Sequence, residues 1–329
     1  MGNSLLDIQP HVVSRDLRGY SVLLYGEPKS GKTTTASKFP GALVLAFEKG
    51  YNAIPGIMAK PMNSWGDFRK TLSELRDEAV KQRFQTVVID TADIAYQYCE
   101  KYICNRESDA THSYETISDI PFGKGFKMAQ LEFDECIRKI LQMDYGLVLI
   151  SHAQDKSFKD EQGVEYNQII PTLENKARLV CERTCDIIGY SRIIDTEEGA
   201  KTKLFLRGTP RFVAGSRFAY IEPVIDFSYD KLVGAIGDAV DKEAAMNGNQ
   251  YVTSERVSLH TEEPVYDFEA MMSEFSSIVG TLMEKDQSYA PRISAIVDTH
   301  LGKGKKVGDC TAEQAPQLDL ILFELRKLV

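Results

Sequence analysis

The segment Gly26-Glu27-Pro28-Lys29-Ser30-Gly31-Lys32-Thr33 frames four residues between two glycines and follows them with a lysine and a hydroxyl. That spacing suits a triphosphate. Glycine lets the backbone come close to phosphate oxygens, and the N–H groups of the loop and of the helix opened after it turn donors toward the anion. Lys32 brings a compact positive charge to the outer phosphates, where it also serves catalysis, and Thr33 offers a hydroxyl to a magnesium ion. Gly26, Glu27, Pro28, Lys29, Ser30, Gly31, Lys32, Thr33 and Thr34 are therefore the expected nucleotide contacts, with ATP and Mg2+ as the expected cofactors.

A phosphate cradle needs a second anchor for the metal. Thr86 to Asp90 (T-V-V-I-D) is a strand-type run ending in a carboxylate. Burying such a strand sets Asp90 at the carboxyl edge of the sheet, beside the phosphates. The competing role for Asp90 is a helix cap. Hydrolysis also requires a group that orients water. Glu48 directly follows the apolar run Ala42 to Phe47 and is the candidate, with Asp93 as its competitor. A further apolar run ends in Ser151-His152-Ala153-Gln154, so His152 and Gln154 are both placed to sense the terminal phosphate. Arg207, Arg211 and Arg217 occur in L-R-G-T-P-R-F-V-A-G-S-R-F. A guanidinium stabilises charge on a transferring phosphoryl group, and Arg211 or Arg217 is expected to reach ATP across a subunit boundary.

Two stretches read as long irregular loops, Asn105 to Lys127 and Ala153 to Pro171. Loops beyond about 12–15 residues in a compact domain usually carry function. The first holds Phe122-Gly123-Lys124-Gly125-Phe126-Lys127; the second holds Lys156, Phe158, Lys159 and Tyr166 among the acids Asp155, Asp160 and Glu161. Aromatics that stack on bases beside cations suit single-stranded nucleic acid. Phe122, Lys124, Lys127, Lys156 and Lys159 are the candidate DNA contacts, and a lid over the nucleotide is the alternative use of these loops.

These groups need a scaffold that brings them together. Tyr20 to Tyr25, Ala42 to Phe47, Thr86 to Asp90 and Gly146 to Ser151 are continuous apolar runs of strand length. Helical patterns lie between them, at Lys32 to Phe39, Ser64 to Phe84 (capped by Ser64, with Asp67 completing a capping box), Ala92 to Cys104 and Met128 to Met143. Alternation of this kind predicts an α/β core with a mostly parallel sheet covered on both faces. Leu173 to Thr184 reads as helix. Asp186 to Ile194 and Lys201 to Leu206 read as a hairpin around Glu197-Glu198-Gly199-Ala200. Residues 241–264 have linker composition. Residues 265–329 carry apolar stripes at Phe268 to Leu282 and Leu318 to Leu328, a helix at Pro291 to His300, and a capping box at Thr311 and Gln314. They predict a small helical domain. The expected division is an arm at 1–18, a core at 19–240, the linker and this domain.

Bulk composition narrows the function. A net charge of −9 excludes a blanket electrostatic grip on nucleic acid, so any such contact must be local. The six cysteines form no C-x-x-C pair and read as reduced packing thiols, Cys181 and Cys185 included. No apolar run nears the roughly 20 residues of a membrane span, and residues 1–10 lack the pattern of a secretory signal. The expected location is the cytoplasm, that of the host if the chain is phage-encoded.

Taken together, Y-G-E-P-K-S-G-K-T, L-V-L-A-F-E-K-G, T-V-V-I-D-T, F-G-K-G-F, L-I-S-H-A and G-T-P-R-F-V-A-G-S-R-F resemble, in order, the phage nucleotide-binding family of RecA-like P-loop ATPases, whose best-known members are single-strand annealing proteins. The resemblance covers residues 18–226. Where that family often carries an Asp two residues before the glutamate, this chain has Ala46. The resemblance implies a RecA-like core, ATP and magnesium, self-assembly into a ring or filament, and help in pairing single-stranded DNA. It also implies a recombination or single-strand-binding partner for the C-terminal domain, with Gly302 to Lys306 as its contact surface. Competing readings are an ATP-gated binding protein with negligible turnover and a small-molecule kinase. The latter needs an arginine-rich lid, whereas Asn105 to Lys127 holds only Arg106. No N-K-x-D element favours guanine. If the glycine loop is a phosphate cradle, Lys32→Ala removes a charge-assisted contact and should weaken ATP binding about a hundredfold or more in a calorimetric titration. Its circular dichroism should match the wild type, and an unchanged affinity contradicts the reading.

Overall fold

A computed structural model of the chain describes residues 10–197, 199–248, 251–257 and 266–328. It divides into one unit at Met1–Glu262 and a second at Glu263–Val329. The first unit opens with β1 (Val13–Ser14) and β2 (Ser21–Gly26), which feeds the glycine loop and α1 (Lys32–Ala36). Then come β3 (Ala42–Ala46), β4 (Ala59–Pro61), α2 (Trp65–Glu74), α3 (Glu78–Arg83), β5 (Thr86–Asp90), α4 (Ala92–Glu107) and α5 (Lys124–Gln142). They are followed by β6 (Gly146–Lys159), β7 (Glu165–Pro171), α6 (Asn175–Thr184), β8 (Ile187–Thr196) and β9 (Gly199–Phe205). The unit closes with β10 (Gly215–Ser216), β11 (Val224–Asp226), α7 (Tyr229–Met246) and β12 (Val252–Thr253).

The main sheet runs β11-β9-β8-β2-β6-β5-β3-β4, with β10 on β8 and β7 on β6. From β8 through β4 every neighbouring pair is parallel. Parallel strands are buried on both faces, which is why they read as unbroken apolar runs. The two-residue period of a strand then sorts them. Val22, Leu24, Val44, Val88, Val148 and Ile150 share a core with Ala36 of α1 and with Leu232, Ala235 and Ile236 of α7. Leu23, Leu45, Val87, Ile89, Leu147 and Leu149 pack with Phe68, Ala95, Phe133 and Cys181 of α2, α4, α5 and α6. The core is the expected α/β fold, a mostly parallel sheet flanked by helices. Five cysteines are buried, and none of the six is in a disulfide.

Several local expectations are corrected. The helix read over Ser64 to Phe84 is two helices, because the Asp77 carboxylate accepts from Ala79 N (2.8 Å) and starts a second one. The reciprocal half of the capping box goes to Asn63 N rather than to Ser64. α1 stops at Ala36 instead of Phe39. Ala153 to Pro171 is not an irregular loop. It is a two-stranded antiparallel ribbon pairing Ala153 through Lys159 with Pro171 through Glu165. The loop starting at Asn105 also ends early. Gly123, at φ 66°, caps α5, and a Cβ on Gly125 would stand 2.2 Å from Ile117 O. The F-G-K-G-F glycines thus serve the close entry of a helix.

The linker expected at 241–264 is also corrected. α7 runs on to Met246 because Leu232, Ala235, Ile236, Ala239, Val240 and Ala244 form one buried stripe, and small alanines hide it within a charged stretch. Val252 and Thr253 then pair in parallel with Val13 and Ser14 of the expected N-terminal arm, and Arg256 meets the Asp144 carboxylate at 3.3 Å. The core therefore extends past residue 240 and includes part of the arm. Residues 1–9 of that arm, Glu198 of the hairpin turn, and 249–250 and 258–265 of the expected linker lie outside the described residues.

The second unit holds α8 (Phe268–Lys285), α9 (Ala290–Leu301) and α10 (Ala315–Arg326). Leu282, Ile293, Val297, Leu318, Ile321, Leu322 and Leu325 form its own core, and the Thr311–Gln314 capping box is present. Among the described residues no helix is long and apolar enough to cross a membrane. Because the second unit buries a separate core, a chain ending at Glu262 should keep its ATP affinity. A chain ending at residue 245 loses β12 and Arg256 and should melt roughly 2–4 °C lower. Loss of ATP binding in the chain ending at Glu262 would contradict the division.

Candidate nucleotide-binding site

Parallel pairing brings β8, β2, β6, β5 and β3 together at one edge. Gly26 is in register with His152 on one side and Ser191 on the other, and Ala46 is in register with Asp90. Gly26 lies so close to β8 that a Cβ would stand 2.1 Å from Ser191 O, so only glycine fits there. Ser30 Oγ and Ser191 Oγ are 2.8 Å apart, which anchors the loop from below. Gly31 adopts φ 89° and ends the loop at α1, where Thr34 is exposed in the first turn. The region therefore joins a loop and a helix start, and the backbone donors converge there.

Lys32 Nζ donates to the carbonyls of Gly26 (3.0 Å) and Glu27 (2.8 Å). Thr33 Oγ1 donates to Asp90 Oδ2 (2.8 Å). Lys32 and Asp90 are both buried. Desolvation pushes the Lys32 ammonium below its ordinary range and the Asp90 carboxyl above its own. Each is thus penalised for its charge. A polyphosphate beside the lysine and a divalent cation beside the carboxylate would offset both penalties, so these residues fit the two cofactors. Lys32 and the loop N–H groups would hold phosphate, and Thr33 and Asp90 would hold magnesium.

Glu48 lies beside this pair. Its backbone N donates to Asp90 O (3.2 Å), and its Oε1 accepts from Thr91 Oγ1 (3.2 Å) and meets His152 Nε2 (3.1 Å). Asp93, the competing acid, is turned to another task. Its Oδ2 accepts from His152 N (3.0 Å) and Thr172 Oγ1 (2.6 Å), and Thr172 N donates to His152 O (3.0 Å). Asp93 therefore clamps the two strands of the β6–β7 ribbon at its root. Gln154 is drawn into the ribbon, where Nε2 donates to Pro171 O (3.3 Å).

The arginines separate. Arg217 pairs with Asp186 (3.1 Å), which accepts from Ser21 N (2.8 Å) at the start of β2. That is the amino edge of the sheet, opposite the glycine loop, so Arg217 does not reach this chain's own site. Arg207 donates to the carbonyls of Ser216, Phe218 and Ala219. Arg211 is exposed next to the ribbon, its carbonyl accepting from Ile169 N (2.7 Å). Composition and spacing gave no sign of Thr91, Thr172, Ser191 or Arg192. Arg192 lies 4.0 Å from Glu27 of the loop. Each is placed by register with a distant strand or by the turn after one, and only the apolar run that precedes it hints at the edge.

The candidate DNA contacts fall on two surfaces. Phe122 is 94% exposed, with Lys124 Nζ 5.8 Å from its ring centre, and Lys127 follows one helical turn after Lys124. On the ribbon, Lys156 Nζ is 5.7 Å from the Phe158 ring, which stacks on Tyr166 at 5.8 Å. Lys159 is paired with Glu165 at 3.4 Å.

This geometry predicts distinct phenotypes for the three acids. Glu48→Gln should slow ATP hydrolysis about a hundredfold while ATP affinity stays within about threefold. Asp90→Asn should weaken binding only when magnesium is present. Asp93→Asn should leave turnover within about threefold but lower the melting temperature, because two hydrogen bonds at the ribbon root are disturbed. Phosphate release and thermal melts of the three variants check this, and normal turnover in Glu48→Gln with lost turnover in Asp93→Asn would reverse the assignment.

Comparison with known proteins identifies the family. The AAA domain family model matches residues 18–218. The SPbeta prophage-derived uncharacterized protein YorG of Bacillus subtilis (strain 168) is 30% identical over 337 residues, spanning 100% of this chain and 99% of that one. The crystal structure of a KaiC-like protein, PH0186, from Pyrococcus horikoshii OT3 aligns with a TM-score of 0.35 and 15% identity over 61% of this chain and 89% of its own. Matched from just before its glycine loop to just past its last arginine segment, the chain belongs to the AAA domain family of P-loop NTPases, a family of nucleotide-binding proteins.

Proposed function

We propose that the chain is a magnesium-dependent ATPase that works on single-stranded DNA during phage recombination and strand annealing, assembled as a homo-oligomer. The observation that carries the ATPase reading is the buried Lys32 and Asp90 pair beneath one loop, with a carboxylate, Glu48, at its border. Bound magnesium would neutralise phosphate charge. The chain's own residues do the rest. Lys32 exchanges its bonds to the Gly26 and Glu27 carbonyls for phosphate oxygens. Thr33 and Asp90 would hold the metal. Glu48 accepts a hydrogen bond from the attacking water and holds it in line.

Exposed aromatic surface paired with cations supports the DNA reading. A nearly bare Phe122 next to Lys124, and a Phe158–Tyr166 stack beside Lys156, offer the base platforms and charges that single strands use. Lys159 contributes least, because Glu165 already neutralises it. The prophage origin of YorG supports a phage setting, and Arg211 is the better candidate to reach a neighbouring subunit's nucleotide. A partner for the C-terminal unit remains part of this proposal, with Lys303, Lys305 and Lys306 as its contact.

The test is phosphate release with and without single-stranded DNA, joined to a salt titration of DNA affinity. We expect stimulated release. Replacing Phe122, Lys124 and Lys127 with Ala should weaken binding about tenfold or more and reduce the slope of log affinity against log salt by about 1–2, as displaced counterions are lost. An unaltered slope would remove this helix entry from the DNA surface, and absence of turnover in every condition would remove the ATPase reading.

A further inference from the structure

We propose that His152 is a positioning residue for Glu48: it fixes the carboxylate that orients water, instead of sensing the terminal phosphate. The inference rests on the reading of Glu48 as that acid. Three observations carry it. First, His152 Nε2 is 3.1 Å from Glu48 Oε1, and Thr91 Oγ1 reaches the same oxygen at 3.2 Å. Two contacts on one oxygen set the plane of the carboxylate and leave Oε2 without a partner among the described residues. Second, His152 cannot drift. Its N–H is held by Asp93 and its carbonyl by Thr172, and β6 carries it in register with Gly26 of the phosphate loop. Third, Nδ1 is buried with no hydrogen-bond partner among the described residues. A carboxylate acceptor requires a proton on Nε2, and Nδ1 meets no acceptor that would draw the proton to it, so this geometry favours the Nε2–H tautomer.

The arrangement differs from a phosphate sensor in what it demands. A sensor loses nucleotide affinity when it is removed, whereas a residue that acts through Glu48 loses turnover alone. Gln keeps an N–H donor where the imidazole has Nε2; Ala keeps nothing.

We expect His152→Ala in the full chain to lower kcat about tenfold or more, with KM and ATP affinity within about twofold. His152→Gln should recover to within about threefold of the wild type. In the Glu48→Gln background, His152→Ala should cost no further rate, because the two residues act as one unit. A rise in KM with kcat unchanged, an unaltered kcat, or independent losses in the double variant would overturn the proposal. A second measurement does not depend on turnover. Imidazole nitrogen NMR of the nucleotide-free protein should show the Nε2–H tautomer, replaced by a mixture in Glu48→Ala. A mixture already present in the wild type would overturn the proposal. A wild type that shows this tautomer yet hydrolyses no ATP would refute the ATPase reading while leaving the His152–Glu48 contact standing.

Discussion

The structure depends on burying a lysine and an aspartate under one glycine loop. Among the described residues neither Lys32 nor Asp90 forms a direct ion pair, and burial penalises the charge of each. Lys32 turns back onto two carbonyls, and Asp90 takes a hydroxyl from Thr33. An isolated buried charge is costly, and proteins keep one where a ligand or metal completes it. The remainder of the core holds these two groups at one edge. Apolar strands lock the heights of Gly26 and Asp90, Ser191 supports the loop, and α1 presents its free N–H groups.

Strand order then adds a connection that neither motif contains. β6 lies between the loop strand β2 and the Asp90 strand β5. It carries His152 to the edge and continues outward as the β6–β7 ribbon. One strand therefore joins the nucleotide edge to an exposed aromatic and cationic surface, with Asp93 and Thr172 fastening the joint. The root of the ribbon and the geometry of Glu48 share a common support at His152.

How much of this was legible in the sequence follows from how local each signal is. The glycine loop and Thr86 to Asp90 could be read directly, since each is one short segment whose spacing or burial implies its chemistry. The contact of His152 with Glu48 could not. It joins residues 104 apart in sequence, and strand register creates it. The ribbon was hidden because its strands alternate lysines and acids with aromatics, which resembles a polar loop until cross-strand pairing is known. The end of α7 was hidden because alanine fills its buried stripe. Arg217 shared a segment with Arg211, yet β8 and β10 send the two to opposite edges of the sheet.

In the proposed function a nucleotide and its metal complete Lys32 and Asp90. A calorimetric titration of ATP into the full chain, with magnesium and then with a chelator, tests it most directly. The expected result is saturable binding at a single site per chain, weakened about tenfold or more when magnesium is removed. Absence of saturable binding, or an affinity indifferent to magnesium, would contradict it.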